Sequence, residues 1–269
     1  MTGMPVVAVL SMKGGVGKTS VVLGLASAAW DRGLRTLVID LDPQANATMA
    51  LDATDAAFTT SDVLADARPG IAADAVSPTG WGDRIDIIAA ERSLEHRTAA
   101  TGRAAALRLR TALATLPRAY GLVLVDCPPS LGELTRNALC AADRAIVVTE
   151  PTHFALHGAA EALEAIDVIA GSVNSRLREP MVLVNRFRPE DREHLLNAQR
   201  LATAHGPIVY DPPIPDCPGI PQSQRAVSPI HAWNAPGSRD VADVLDDVLD
   251  LLVPPPRPQP RVSLRRYFT

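Results

Sequence analysis

Five short, mostly apolar runs punctuate the chain: Met4–Leu10, Leu34–Leu41, Gly121–Val125, Ala145–Glu150 and Met181–Asn185. Their brevity and Val/Ile/Leu content read as strands covered on both faces, as in a parallel sheet. Elsewhere the apolar spacing turns helical. Thr19 to Trp30 carries Val21, Val22, Leu25, Ala28 and Ala29 as an apolar face that stops near Gly33. Val241 to Val253 sets Val244, Leu245, Val248, Leu249 and Leu252 against a solvated side of Asp243, Asp246, Asp247 and Asp250. Phe58–Asp66 reads as a short helix, Arg84–Ala89 as an edge strand, and Glu91–Leu116 as one or two Ala/Arg-rich helices. Strands alternating with helices predict the α/β class: a single doubly wound, mostly parallel sheet with helices on both faces. No repeat at solenoid periods is present.

Composition fits one large α/β unit. The chain has 269 residues, 28.5 kDa and 47% hydrophobic content, with aromatics at only 4%, so the core is aliphatic. Cys127, Cys140 and Cys217 are odd in number and widely spaced, which suits neither a disulfide framework nor a metal set and points to a reducing cytoplasm. The N-terminal apolar run leads straight into a glycine-rich segment, so no secretory signal is expected, and no segment is long enough to span a bilayer.

That segment carries the chemistry. Both lysines of the chain, Lys13 and Lys18, lie in Ser11-Met12-Lys13-Gly14-Gly15-Val16-Gly17-Lys18-Thr19-Ser20; every other basic side chain, histidine aside, is an arginine. A compact ammonium is kept where a planar guanidinium would not fit. A strand, a glycine loop ending in Gly-Lys-Thr and then a helix form the context of a phosphate-binding loop. Glycines let main-chain N–H groups converge on phosphate oxygens, and the helix N-terminus adds partial positive charge. Lys18 is placed for the β- and γ-phosphates and the Thr19 hydroxyl for Mg²⁺. Asp40 and Asp42, two apart at the end of the second strand, point to one side of it and face the crevice at the sheet's carboxyl edge. Asp126 ends the third strand ahead of Cys127-Pro128-Pro129-Ser130, where the prolines stop the strand and begin a switch loop.

The form Lys-Gly-Gly-x-Gly-Lys-Thr resembles the deviant Walker A loop of the ParA/MinD family of P-loop ATPases. The resemblance covers roughly residues 5 to 253. It implies an ATP- and Mg²⁺-dependent sandwich homodimer in which residues 13–20 bind nucleotide and Lys13 reaches the phosphates held by the partner subunit. It also implies that Asp42 positions the attacking water, that Asp40 binds Mg²⁺ through water, and that Asp126 is the Walker B carboxylate. The continuation Asp42-Pro43-Gln44-Ala45-Asn46-Ala47-Thr48 is similar to ParA and unlike MinD. Glu150-Pro151-Thr152-His153-Phe154-Ala155-Leu156-His157-Gly158 resembles the ParA segment that packs at the dimer interface; His153 and His157 lack a third ligand and read as surface or interface side chains. Asn185 and a later Ile-Pro dipeptide are expected around adenine, with Ile214-Pro215 and Ile220-Pro221 competing.

Short ParA proteins bind DNA non-specifically as ATP dimers. The net charge of −4 gives no overall steering, so a DNA site must be a local patch. Arg186, Arg188, Arg192, Arg200 and Arg225 are the candidates, with Arg176, Arg178 and Arg239 nearby in sequence. The rival surface is a membrane. Residues 1–253 form the ATPase domain; residues 254–269 add a polyproline linker and a basic tail with Val262, Leu264, Tyr267 and Phe268, which reads as disordered and too short for a strong interfacial helix. The leading expectation is a cytoplasmic, nucleoid-associated partition ATPase stimulated by a ParB-like adaptor. The alternatives are a MinD-like membrane-surface ATPase, ParA-like positioning of another cargo, and a metabolic relative such as an amidase or synthetase.

Overall fold

The computed structural model describes residues 4–99, 102–114, 116 and 120–254. Seven strands make one sheet: β1 (Val6–Leu10), β2 (Thr36–Asp40), β3 (Val76–Thr79), β4 (Gly82–Ile88), β5 (Leu122–Asp126), β6 (Arg144–Thr149) and β7 (Met181–Val184), in the order β3-β4-β2-β5-β1-β6-β7. All neighbours are parallel except β3 and β4. Every residue of β1, β2, β5 and β7 is buried. This is why these strands appear as unbroken apolar runs rather than as alternating patterns.

Alternate side chains leave the sheet on opposite faces. Val6, Ala8, Leu10, Leu37, Ile39, Val123 and Val125 enter one core, beneath α3 (Thr60–Asp66), α4 (Ile71–Asp74), α6 (Arg108–Leu113), α7 (Glu133–Ala141) and α8 (Ala155–Ser172). Val7, Val9, Val38, Leu122 and Leu124 enter the other, beneath α1 (Lys18–Asp31) and α11 (Ser238–Leu252). The last helix buries Val244, Leu245, Val248 and Leu249, as its spacing predicts; Val241 is buried with them and Leu252 is half-buried. It meets α1 at Gly24, where a Cβ would come within 2.6 Å of Leu245 Cδ1, so glycine sets the distance between the two helices.

Two expectations change. The Arg84–Ala89 strand is not at the edge: β4 pairs with β2 on one side, and the antiparallel β3 takes the edge. A Pro inside β3 and its half-exposed residues hid that strand, since proline is tolerated only at such edges. The Glu91–Leu116 region divides into a 3₁₀ segment, Arg92–Ala99, then α5 (Arg103–Ala106) and α6. The tail at 255–269 lies outside the described residues. Among the described residues no helix is long and apolar enough to cross a membrane.

The chain runs from β1 to β2 across β5, and from β5 to β6 across β1 on the other side. The crevice at this reversal, beyond the carboxyl ends of β1 and β5, is where open α/β sheets bind ligands.

Candidate functional site: a glycine loop facing three carboxylates

The loop after β1 is shaped by two glycines in the left-handed region, Gly15 at φ 84° and Gly17 at φ 89°. Gly17 precedes α1 without any side-chain cap, and no acidic residue lies in the first turn. The first N–H groups of a 14-residue helix are therefore left for a ligand. A Cβ on Gly17 would collide with the Asn185 amide, so that position is closed to other residues on two counts. Lys18, at the start of α1, is 6% exposed, whereas Lys13 is exposed. The two lysines thus face different surroundings, one inside the site and one exposed to solvent.

Opposite the loop stand Asp40, Asp42 and Asp126. Asp40 and Asp126 are register partners on adjacent strands. Thr19 Oγ1 donates to Asp126 Oδ2 over 2.7 Å. The other oxygen, Oδ1, is fully buried and has no protein partner. Burial, with the Asp40 charge next in size, pushes the Asp126 carboxyl well above its ordinary range. A buried, unpaired carboxylate oxygen beside a hydroxyl whose proton is already committed is the donor set of a hard cation. The residues present therefore fit Mg²⁺.

Asp40 is arranged differently. Its Oδ2 accepts from Thr48 N at 2.9 Å and Thr48 Oγ1 at 2.8 Å, and its Oδ1 from Asp42 N at 3.0 Å. Burial raises its pKa to about 6, against the lowering effect of those bonds. Asp42 in turn caps the following turn, accepting from Gln44 N at 3.0 Å through Oδ1. Thr48 lies in α2 (Asn46–Ala50) and also accepts from Ala90 N at 2.9 Å. The Asp-Pro-Gln-x-Asn-Ala-Thr string is therefore a closed hydrogen-bonded loop that fixes Asp42 at the crevice. Thr48, the residue that closes it, did not stand out from sequence because its role depends on folding back eight residues onto Asp40.

At the end of β7, Asn185 is buried and donates through Nδ2 to Val16 O at 2.8 Å. Ile214 N bonds Val184 O at 2.8 Å and Phe187 N bonds Ile214 O at 2.9 Å, which lays Ile214-Pro215 alongside Asn185. Pro221 is exposed in the first turn of α10 (Gly219–Arg225), a helix held to α1 by Gln224 Nε2 donating to Ser20 Oγ at 3.1 Å. Of the two Ile-Pro dipeptides, Ile214-Pro215 is the one paired with the Asn185 strand.

The segment after β6 carries Phe154, 71% exposed, at the start of α8. It lines a cleft with Met12, Lys13, Val16 and Glu150. His157 pairs with Glu161 at 3.1 Å, and among the described residues no three His, Cys, Asp or Glu side chains form a metal cluster.

The candidate arginines differ in what holds them. Arg188 is paired with Asp191 at 3.3 Å. Arg192 and Arg200 are exposed on α9 (Arg192–His205), and Arg225 is exposed at the end of α10. None of these three makes an ion pair among the described residues. Arg186 departs from the expected cluster: its Nη1 donates to Gly15 O and to Glu150 Oε1, each at 2.8 Å.

The family model AAA_31, an AAA domain, matches residues 4–179. The chromosome partitioning protein ParA of Caulobacter vibrioides is 38% identical over 220 residues, covering 78% of this chain and 80% of that protein. The sporulation initiation inhibitor protein Soj of Bacillus subtilis is 32% identical over 184 residues, covering 66% and 71%. Among solved structures, cobyrinic acid a,c-diamide synthase from Mycobacterium smegmatis with bound ADP and magnesium superposes with a TM-score of 0.77 at 27% identity, covering 92% of this chain and 94% of that one. Loop, sheet order and relatives agree, and the chain belongs to the ParA/MinD family of P-loop ATPases.

Proposed function

We propose that this protein is a partition ATPase that binds ATP and Mg²⁺, dimerises around the nucleotide and tethers to DNA. The observation that carries the reading is the convergence of Lys18, Thr19, Asp126 and Asp42 beyond the strand ends, in a chain 38% identical to a chromosome partitioning ParA. Main-chain N–H groups of residues 14–19 hold the phosphates, with Ser20 supporting the first turn, and Lys18 offsets the charge of the terminal phosphates. Thr19 and Asp126 hold Mg²⁺, with Asp40 behind them. When bound, the metal neutralises charge on the phosphoryl group in transfer. Asp42 orients the attacking water, and Asn185 with Pro215 flanks the adenine, Pro221 lying further out.

Lys13 and the Phe154 surface meet a second copy of the chain across the nucleotide. Arg188, Arg192, Arg200 and Arg225 supply the DNA-facing charge. Hydrolysis, stimulated by a ParB-like adaptor, ends the tethered state, and the working location is the cytoplasm at the nucleoid.

The test is binding to non-specific duplex DNA with ATP or ADP across a salt series. Salt-sensitive binding only with ATP is expected. Equal or absent binding in both states would remove the tethering step.

The likeness to a diamide synthase, at 27% identity, favours one second reading, a metabolic ATP-dependent synthetase or amidase. In that case a small carboxylate would stimulate turnover more than DNA and adaptor do.

A further inference from the structure

We propose that Arg186 is a positioning residue for the phosphate-binding loop, held in place by Glu150, and not a DNA contact. The inference rests on reading that loop as the ATP site.

Two consecutive residues at the end of β7 grip two consecutive carbonyls of the loop. Asn185 Nδ2 donates to Val16 O, and Arg186 Nη1 donates to Gly15 O, both at 2.8 Å. In a trans peptide the C=O and the next N–H point in opposite directions. Drawing Gly15 O outward turns Val16 N–H inward; drawing Val16 O outward does the same for Gly17 N–H. The pair therefore presets two of the donors that a phosphate needs, before any ligand arrives. Polarising each carbonyl from outside also strengthens its N–H as a donor.

The grip is itself anchored. Arg186 Nη1 is shared with Glu150 Oε1 at 2.8 Å. Glu150 follows β6 and Arg186 follows Asn185, whose N–H bonds Thr149 O at 2.8 Å, so both partners hang from adjacent strand ends. The guanidinium is half exposed, at 49%, so its charge is screened and its value lies in directed hydrogen bonds. The backbone agrees with a demand on the side chain: Arg186 sits at φ 56°, in the left-handed region that a non-glycine residue adopts only where its surroundings impose it. Glu150 also opens the segment that carries Phe154, so the same side chain links the phosphate loop to the proposed dimer face.

The experiment compares the wild type with Arg186→Gly, Arg186→Lys and Glu150→Gln. Glycine suits φ 56°, so Arg186→Gly is expected to fold with an unchanged or higher Tm. It should nonetheless bind a fluorescent ATP analogue with Mg²⁺ about tenfold more weakly, the size of a lost charged hydrogen bond. Its KM for ATP should rise by a similar factor while kcat holds, because Arg186 does not touch the reacting atoms. Arg186→Lys should recover part of the affinity, and Glu150→Gln should fall between. DNA binding at saturating ATP should match the wild type.

Wild-type nucleotide affinity in Arg186→Gly would overturn the proposal. Loss of DNA binding at saturating ATP in that variant would do so too, and would return Arg186 to the DNA surface. A wild type that binds no ATP analogue would instead remove the ATP-site reading beneath it.

Discussion

Thr19 and Asp126, 107 residues apart, share a 2.7 Å hydrogen bond that leaves one buried carboxylate oxygen of Asp126 without a protein partner. The geometry directs the threonine proton away from the crevice and its lone pairs into it. Burial favours the protonated form of this carboxyl, and a divalent cation that displaces the proton would offset the charge left on it. Replacing Asp126 by Ala should therefore weaken nucleotide binding with Mg²⁺ by roughly 10- to 100-fold. Without Mg²⁺ the variant and the wild type should bind nucleotide alike. Titration with a fluorescent nucleotide in Mg²⁺ and in EDTA checks this; an equal loss in both would assign Asp126 to the fold rather than the metal.

Asp42 and Thr48 separate chemistry from support. Asp42→Ala removes the carboxylate proposed to orient water, and should lower kcat by roughly 10²- to 10⁴-fold with ATP affinity retained. Thr48→Val removes one donor to Asp40 and the acceptor for Ala90 N. That leaves buried polar groups unpaired and should cost about 1–3 kcal/mol of stability. Denaturation and turnover measured on both variants distinguish the two: a Thr48→Val protein of wild-type stability would mean that Asp40 finds other donors.

Strand positions and the P-loop were legible because burial on both faces writes a continuous apolar run, and because Gly15 and Gly17 must sit at positive φ. The Asp-Pro-Gln-x-Asn-Ala-Thr string was legible as a motif, but its hydrogen bonds were not. Sequence shows Asp40 and Asp42 side by side; only the fold shows Thr48 turning back to hold one and free the other. β3 escaped because an edge strand with proline carries no alternation. The contacts of Arg186 were not legible for a more general reason. Arginines near one another in sequence look like a patch, yet β7 ends at the loop and sends Arg186 to Gly15 while Arg192 and Arg200 leave on the next helix.

Lys13 is exposed while Lys18 is buried, which permits a test of action across a dimer. Lys13→Ala and Asp42→Ala should each be inactive alone. Mixed, the Lys13→Ala subunit keeps Asp42 and receives Lys13 from its partner, so one of its two sites in a mixed dimer is whole. Equimolar mixing should restore about a quarter of wild-type turnover if subunits exchange freely in a two-fold dimer. No recovery, with mixed dimers demonstrated by a tag, would place Lys13 in its own subunit's site.

His231 gives the fold a pH dependence remote from the site. Ser27 Oγ accepts from His231 N at 3.1 Å and lies 2.7 Å from Nδ1, within hydrogen-bond distance of the ring. Nε2 is buried, 3.5 Å from the Asp246 carboxylate. Burial lowers the His231 pKa below 6.5; Asp246 and Asp31 oppose this, and Arg239 adds to it. The unfolded chain, with the ordinary value, therefore takes up the proton first as the pH falls. Unfolded molecules bind more protons than folded ones in that window, so stability rises with pH there. The contribution is complete above pH 6.5 and is lost progressively below it, until the folded-state pKa is reached. The Tm of the nucleotide-free protein, followed from pH 8 to pH 5, should fall more steeply in the wild type than in His231→Asn. Parallel curves would mean that burial does not hold this imidazole neutral. Since Ser27 lies in α1 and Asp246 in α11, the cost of charging the buried ring on acidification should be felt first where those two helices pack, and not in the nucleotide crevice.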